Sequence, residues 1–187
     1  MIEKYGKPGN TDNEGFNPYT DSVGPGIYGG IVKRDRDGNI EIGEQYQSHN
    51  PLPGPIYAGG GYTSINAALH DITTLTSLLE KYPDLVNDVS TGGATPLHMC
   101  GMSRTGQQAT ALLIEKGAAL ETLDTYGYAP LHRMASNNLA LGAQALLDAG
   151  ANPHLRTGRG ETAMSIARSA GAGDVLRVLT TFLQKMK

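Results

Sequence analysis

The sequence predicts an all-α repeat solenoid of paired short helices behind an irregular amino-terminal extension. Three observations predict it. The tetrad Thr95-Pro96-Leu97-His98 returns as Ala129-Pro130-Leu131-His132 and again, at a near-constant interval, as Thr162-Ala163-Met164-Ser165. Gly93, Gly127 and Gly160 each precede a tetrad by two residues, while Leu112-Leu113 and Leu146-Leu147 recur at the same interval and run into Gly117-Ala118 and Gly150-Ala151. A composition break falls at Tyr62, since residues 1–61 hold 13 of the 25 glycines and six of the ten prolines and carry almost no helical periodicity. A sustained period of this kind marks stacked supersecondary units, none of which can bury its apolar face alone.

The extension, residues 1–61, reads as a Gly/Pro/Tyr-rich arm. Ile27–Lys33 and Asn39–Tyr46 are β-leaning and Asp37-Gly38 is turn chemistry, which predicts a β-hairpin over 27–46. The same letters imitate a calcium loop at Asp35, Asp37, Gly38, Ile40 and Glu44, but Lys33 stands where the first carboxylate ligand belongs. Asn50–Pro55 favours an extended polyproline spacer. Gly59-Gly60-Gly61 lacks the lysine of a phosphate-binding loop and reads as a joint. Tyr5, Tyr19, Tyr28, Tyr46 and Tyr57, with Phe16, make this arm adhesive rather than inert.

Beyond it, Ser64–Asn87 reads as a divergent first unit without the tetrad, its second helix and turn lying in Leu75–Asp88. In the next unit Thr95 is a helix cap and Pro96 fits the first helical position, where a missing N–H costs nothing. Gly106 and Asn138 are expected to end the first helices of successive units, because both tolerate the left-handed conformation. Leu139, Ala143, Leu146 and Leu147 form one apolar stripe that Gly150 terminates. The closing unit places a helix over Asp174–Lys185, with Val175, Val178, Leu179, Phe182 and Leu183 inward and Arg177, Thr181 and Gln184 wet.

Tetrad, helix pair, Leu-Leu-x-x-Gly-Ala ending and period together resemble the ankyrin repeat, over about two thirds of the chain. The resemblance divides residues 62–187 into units of approximately 62–92, 93–126, 127–159 and 160–187. Two departures stand out: one extra residue near the helix-helix turn of the unit from Thr95, and Ala163 and Ser165 in place of proline and histidine in the closing tetrad. The resemblance implies that His98 and His132 hydrogen-bond within and between turns. It also implies a non-catalytic module that binds another protein through turn tips and the exposed face of the first helices. The contact positions so implied are Thr91, Gly92 and Ala94 in one tip, Thr125, Tyr126 and Tyr128 in the next, and Arg159 and Glu161 in the last. Met102, Ser103, Arg104, Ser136 and Asn137 join them at helix ends. Tyr126 and Tyr128 lead as hot spots, with Arg104 and Arg159 behind, because tyrosine and arginine dominate binding energies.

Other chemistries find little support. Equivalent histidines one repeat apart are separated by a helix spacing of about 8–10 Å, too far to share a zinc ion, so no metal is expected. Cys100 is the single cysteine, forms no internal disulfide, and lacks an oriented base; a small buried thiol is expected, and no catalytic residue or cofactor. A formal net charge of -3 argues against a nucleic-acid partner. No run of 18 apolar residues occurs, which excludes a membrane-spanning helix. The first ten residues show neither a secretory core nor a transit-peptide composition, leaving cytoplasm as the default and an organelle open if an address has been removed. The expected role is an adaptor, scaffold or accessory subunit. The alternatives are a client-specific chaperone or targeting factor and, more weakly, a ligand pocket formed by the extension.

Overall fold

The computed structural model describes the backbone of residues 22–25 and then residues 61–88, 94–124 and 126–186. The hairpin expected over 27–46, and Thr91, Gly92 and Thr125, lie outside the described residues. Strand β1 (Ser22–Pro25) pairs antiparallel with β2 (Gly61–Thr63), which crosses the composition break and leads directly into helix α1 (Ser64–Ala68). Helix α2 (Ile72–Lys81) follows and a 3-10 turn, Pro83–Asn87, closes the first unit. Asp71 starts α2 by accepting the N–H groups of Thr73 and Thr74 at 3.1 and 3.5 Å, as a cap should. The Thr74 hydroxyl on the same carboxylate holds Asp71 below the usual carboxylate range.

The second unit holds α3 (Pro96–Cys100), a 3-10 segment (Gly106–Ala109) and α4 (Thr110–Glu115). The third holds α5 (Pro130–Ser136) and α6 (Ala140–Asp148), and the fourth α7 (Ala163–Ser169) and α8 (Gly173–Lys185). Consecutive first helices pack on one another, as do the second helices of the second, third and fourth units, which is the geometry of a solenoid. One continuous core runs from Ile65 and Leu75 through Leu97, Leu113, Met134 and Leu146 to Val175 and Leu179, all of them buried. The apolar stripe Leu139, Ala143, Leu146 and Leu147 is buried as expected. In α8, Val175 and Leu179 are buried, Val178, Phe182 and Leu183 half-buried, and Arg177, Thr181 and Gln184 exposed.

Local chemistry sets the unit boundaries. Asn138 takes φ 53°, the left-handed turn that ends α5. Gly117 and Gly150 take the same region at φ 92° and 97° and end α4 and α6. Gly106, in contrast, does not end the first helix of its unit: α3 stops at Cys100, with Gly101 as its C-cap. The reason lies in Ser103, whose hydroxyl accepts the Gly106 N–H at 2.8 Å and whose carbonyl accepts the Gln107 N–H at 3.1 Å, so Gly106 opens the second helical segment. The extra residue of this unit lies in the resulting turn.

The first unit also departs from the expectation that its tetrad is missing. Because α1 begins at Ser64, Thr63-Ser64-Ile65-Asn66 occupies the tetrad's place, with Gly61 two residues before it. In the closing unit the tetrad keeps a reciprocal cap without histidine: Thr162 Oγ1 accepts the Ser165 N–H at 3.3 Å, and Ser165 Oγ accepts the Thr162 N–H at 2.9 Å.

Candidate binding surface

The histidines tie each turn to the next. His98 Nδ1 accepts the Thr95 N–H at 3.1 Å, which leaves the ring proton on Nε2 to be donated to the Tyr128 carbonyl at 2.8 Å. His132 repeats this, accepting from the Ala129 N–H at 2.9 Å and donating to the Leu155 carbonyl at 3.0 Å. Burial lowers the pKa of both rings. Neutral imidazole is the form the geometry needs, because a second ring proton would displace the backbone N–H from Nδ1.

The turn that His98 holds is the finger carrying Tyr126 and Tyr128. Its base is Asp124, buried, whose carboxylate accepts the N–H groups of Tyr126 and Tyr128 at 2.9 and 3.0 Å. Backbone bonds complete the turn, from Asp124 N–H to the Tyr128 carbonyl and from Gly127 N–H to the Asp124 carbonyl, with Gly127 at φ 75°. Arg133, on α5, clamps the other carboxylate oxygen with Nε at 2.9 Å and with a terminal nitrogen. Its guanidinium then lies 4.6 Å from the Tyr128 ring centre and 5.6 Å from that of Tyr126. Tyr128 also meets His132 edge-on at 6.1 Å. Both tyrosines are half-buried and held at several points, which removes much of the rotamer entropy that a binding residue otherwise loses.

The next finger uses an uncharged version of this base. Thr157 Oγ1 accepts the N–H groups of Arg159 and Glu161, both at 3.2 Å, and Gly160 turns the chain at φ 80°. Arg159 is exposed and Glu161 half-buried. Arg156 bridges back to Thr162 in the strand manner and donates to the Gly160 carbonyl at 2.7 Å.

The remaining expected positions separate by environment. Met102 (45% exposed) and Ser136 stand at equivalent ends of consecutive first helices. Arg104 is exposed on the turn after α3, Ser103 is engaged with Gly106, and Ala94 is half-buried before the tetrad. Asn137 is exposed, but its amide donates to the Gly101 carbonyl at 2.8 Å and the Arg133 carbonyl at 3.2 Å, tying its unit to the preceding one. Cys100 is fully buried, and burial pushes its thiol up to about 12 against a smaller opposing effect of Thr110. Sequence reasoning missed Asp124 and Arg133; an Asp two residues before a Tyr-Gly-Tyr was the available sign of a side-chain-built turn. It also missed Leu123, 46% exposed beside Asp124.

The stacked helix pairs, the histidine ties and the projecting turns coincide with a sequence match. The family model for ankyrin repeats in many copies fits residues 113–167, from α4 through the Tyr126 finger to α7. Residues 113–167 of this chain are ankyrin repeats. It is similar to ankyrin repeat and SOCS box protein 18 of Homo sapiens, at 40% identity over 83 residues. That stretch covers 44% of this chain and 18% of the relative, so the chain spans less than a fifth of the relative's length. Ankyrin repeats are general protein-protein interaction modules, typically without enzymatic activity, and they imply a protein partner. Among the described residues no helix is long and apolar enough to cross a membrane.

Proposed function

We propose that this chain is a non-catalytic adaptor, scaffold or accessory subunit that holds another protein along its fingers and first-helix ends. The observation that carries this reading is the fixing of Tyr126 and Tyr128 over Arg133 and Asp124. A half-buried pair of aromatic rings, immobilised before any partner arrives, has the character of a binding anchor. Arg159 extends the same edge by one unit, and Met102, Arg104 and Ser136 supply the adjoining helix ends. Glu161, Ala94 and Asn137 belong to the frame of this surface.

Affinity capture with the full chain, set against a Tyr126→Ala/Tyr128→Ala/Arg159→Ala variant, tests the reading. A protein retained by the native chain and lost with the variant, at unchanged helical circular dichroism, is the expected result. Equal capture of every retained protein by both forms overturns the assigned surface.

A further inference from the structure

The fingers of the third and fourth units match residue for residue in their hydrogen bonds and differ in chemistry. In one, Asp124 accepts the N–H groups of Tyr126 and Tyr128, and its own N–H reaches the Tyr128 carbonyl. In the other, Thr157 accepts those of Arg159 and Glu161, and its own N–H reaches the Glu161 carbonyl. Leu123 therefore corresponds to Arg156, Tyr126 to Arg159 and Tyr128 to Glu161. The two fingers are neighbours, because Tyr128 meets His132 edge-on at 6.1 Å and His132 donates to the Leu155 carbonyl, one residue before Arg156. An exposed leucine and two fixed aromatic rings thus stand beside two exposed guanidinium groups at matching places.

Charge is sorted between the two layers of the stack. Among the described residues, Arg104, Arg133, Arg156, Arg159 and Arg168 lie on fingers, on first helices or in the turns that end them, against Asp124 and Glu161. The remaining described carboxylates, Glu80, Asp84, Glu115 and Asp148 among them, belong to the second helices and the segments flanking those, as does every described lysine. Asp124 is already clamped by Arg133, and Glu161 is half-buried. The Arg159 guanidinium bonds no group among the described residues, and Arg156 bonds only the neutral Gly160 carbonyl. Two exposed cations without a counter-charge, next to an aromatic pair, have their complement in an anionic group that also carries an apolar neighbour.

We propose that the partner offers this edge an extended acidic segment, in which an apolar side chain seats against Leu123, Tyr126 and Tyr128 and a carboxylate meets Arg156 and Arg159. That the occupant is a polypeptide rests on the function proposed above; that it is acidic rests on the arginines. Equivalent groups of adjacent units stand about 8–10 Å apart, and an extended chain advances about 3.3 Å per residue. The apolar and acidic residues of the partner are therefore about three positions apart. A nucleic acid fits less well, because the basic strip is two fingers long and the carboxylates of the second layer repel the rest of a phosphate backbone.

Panning a random peptide display library on the full chain, followed by affinity measurements on the enriched peptides, tests this. Enriched sequences are expected to pair an apolar residue with an aspartate or glutamate three positions away. Arg159→Glu should weaken them about tenfold or more, since like charges replace a charge-assisted contact. Lys185→Glu, the same change of charge on the second layer, should leave Kd within about twofold. Peptides without carboxylates that are lost with Tyr126→Ala/Tyr128→Ala yet bind Arg159→Glu undiminished overturn the acidic partner and leave the binding edge standing. No enrichment, or peptides that bind both variants as they bind the native chain, overturns the edge and the acidic partner together. Displacement of the enriched peptides by an equal concentration of single-stranded oligothymidylate reassigns the arginines to phosphate chains and likewise overturns the proposal.

Discussion

Gly101 and Arg133 meet across the junction of the second and third units so closely that a Cβ on Gly101 would stand 2.5 Å from the Arg133 Cβ and 3.3 Å from its carbonyl carbon. The glycine is required by this approach and not by its backbone angles, since its φ is -72°. Gly142 offers the contrast: a Cβ there would meet the Met134 Cε and Sδ at 2.4 and 2.5 Å, the free end of a flexible chain.

Gly101→Ala should therefore destabilise by about 1–3 kcal/mol, because α5 has to move. Gly142→Ala should cost less, since the methionine can rotate and alanine gains up to about 1 kcal/mol of helix propensity. Urea melts of the two variants check the order; an equal loss would mean that the unit junction yields as easily as the Met134 side chain.

Asp124→Asn should weaken the Tyr126 finger. Asparagine can still accept the N–H groups of the two tyrosines, but it leaves the part-buried Arg133 without its counter-charge. A charge-assisted hydrogen bond is worth about 1.5–3 kcal/mol. The thermal midpoint should fall accordingly, and the NMR signals of the Tyr126 and Tyr128 rings should shift while those of Tyr82 stay in place.

Acid should loosen the stack near neutrality. Burial lowers the pKa of His98 and His132 in the folded chain below the ordinary 6.5. The unfolded chain therefore binds more protons over this interval, and stability rises with pH. The contribution is complete above about pH 7 and is lost as pH falls through 6.5 toward the folded values. Tm measured from pH 8 down to pH 5 should decline in the native chain. A His98→Gln/His132→Gln variant should melt lower but with a flatter dependence.

Asn138 has two duties that substitution can separate. It adopts the left-handed turn, and its Oδ1 accepts the N–H groups of Asp174 and Val175 at 3.0 and 3.2 Å, capping α8 from the neighbouring unit. Asn138→Gly keeps the turn and loses the cap, at about 1 kcal/mol. Asn138→Ala loses both and should cost roughly 1–2 kcal/mol more. Equal melting of the two variants would remove the backbone part of this account.

Cys100 should be unreactive. With its thiol raised to about 12 and no exposed surface, a disulfide reagent at pH 8 should label it only at the rate of global unfolding. Labelling that saturates within seconds in the native protein would show that the second unit opens by itself.

Much of this architecture was legible because repeats convert three-dimensional stacking into a one-dimensional period. The tetrads, the Gly150 stop, the stripe from Leu139 to Leu147 and the helix to Lys185 all follow from residues that serve helix ends and faces within a single unit. What stayed hidden depends on neighbours. The Asp124–Arg133 clamp joins a turn to a helix nine residues on, a spacing with no periodic signature. Ser103, not Gly106, decides where the second unit restarts its helix, because a hydroxyl captured an N–H that glycine alone could not direct. The first tetrad escaped notice since Thr63 stands slightly less than one full period before Thr95 and keeps only the threonine of the motif.

Asn137 and Asn138 look in opposite directions, the first bonding Gly101 behind it and the second Asp174 ahead. Gln107 does likewise for the Gly142 N–H at 3.3 Å, and Asn87 for Gly117 and Ala119. Most of these links end on main-chain atoms, which every residue type supplies. A duplicated 127–159 segment spliced in ahead of Gly160 would find main-chain partners for Asn137 and Asn138 on both sides. Ala135 would then face the copied Arg133 where Gly101 stands now, so lengthening the molecule by one course, like masonry, also needs Ala135→Gly at the joint.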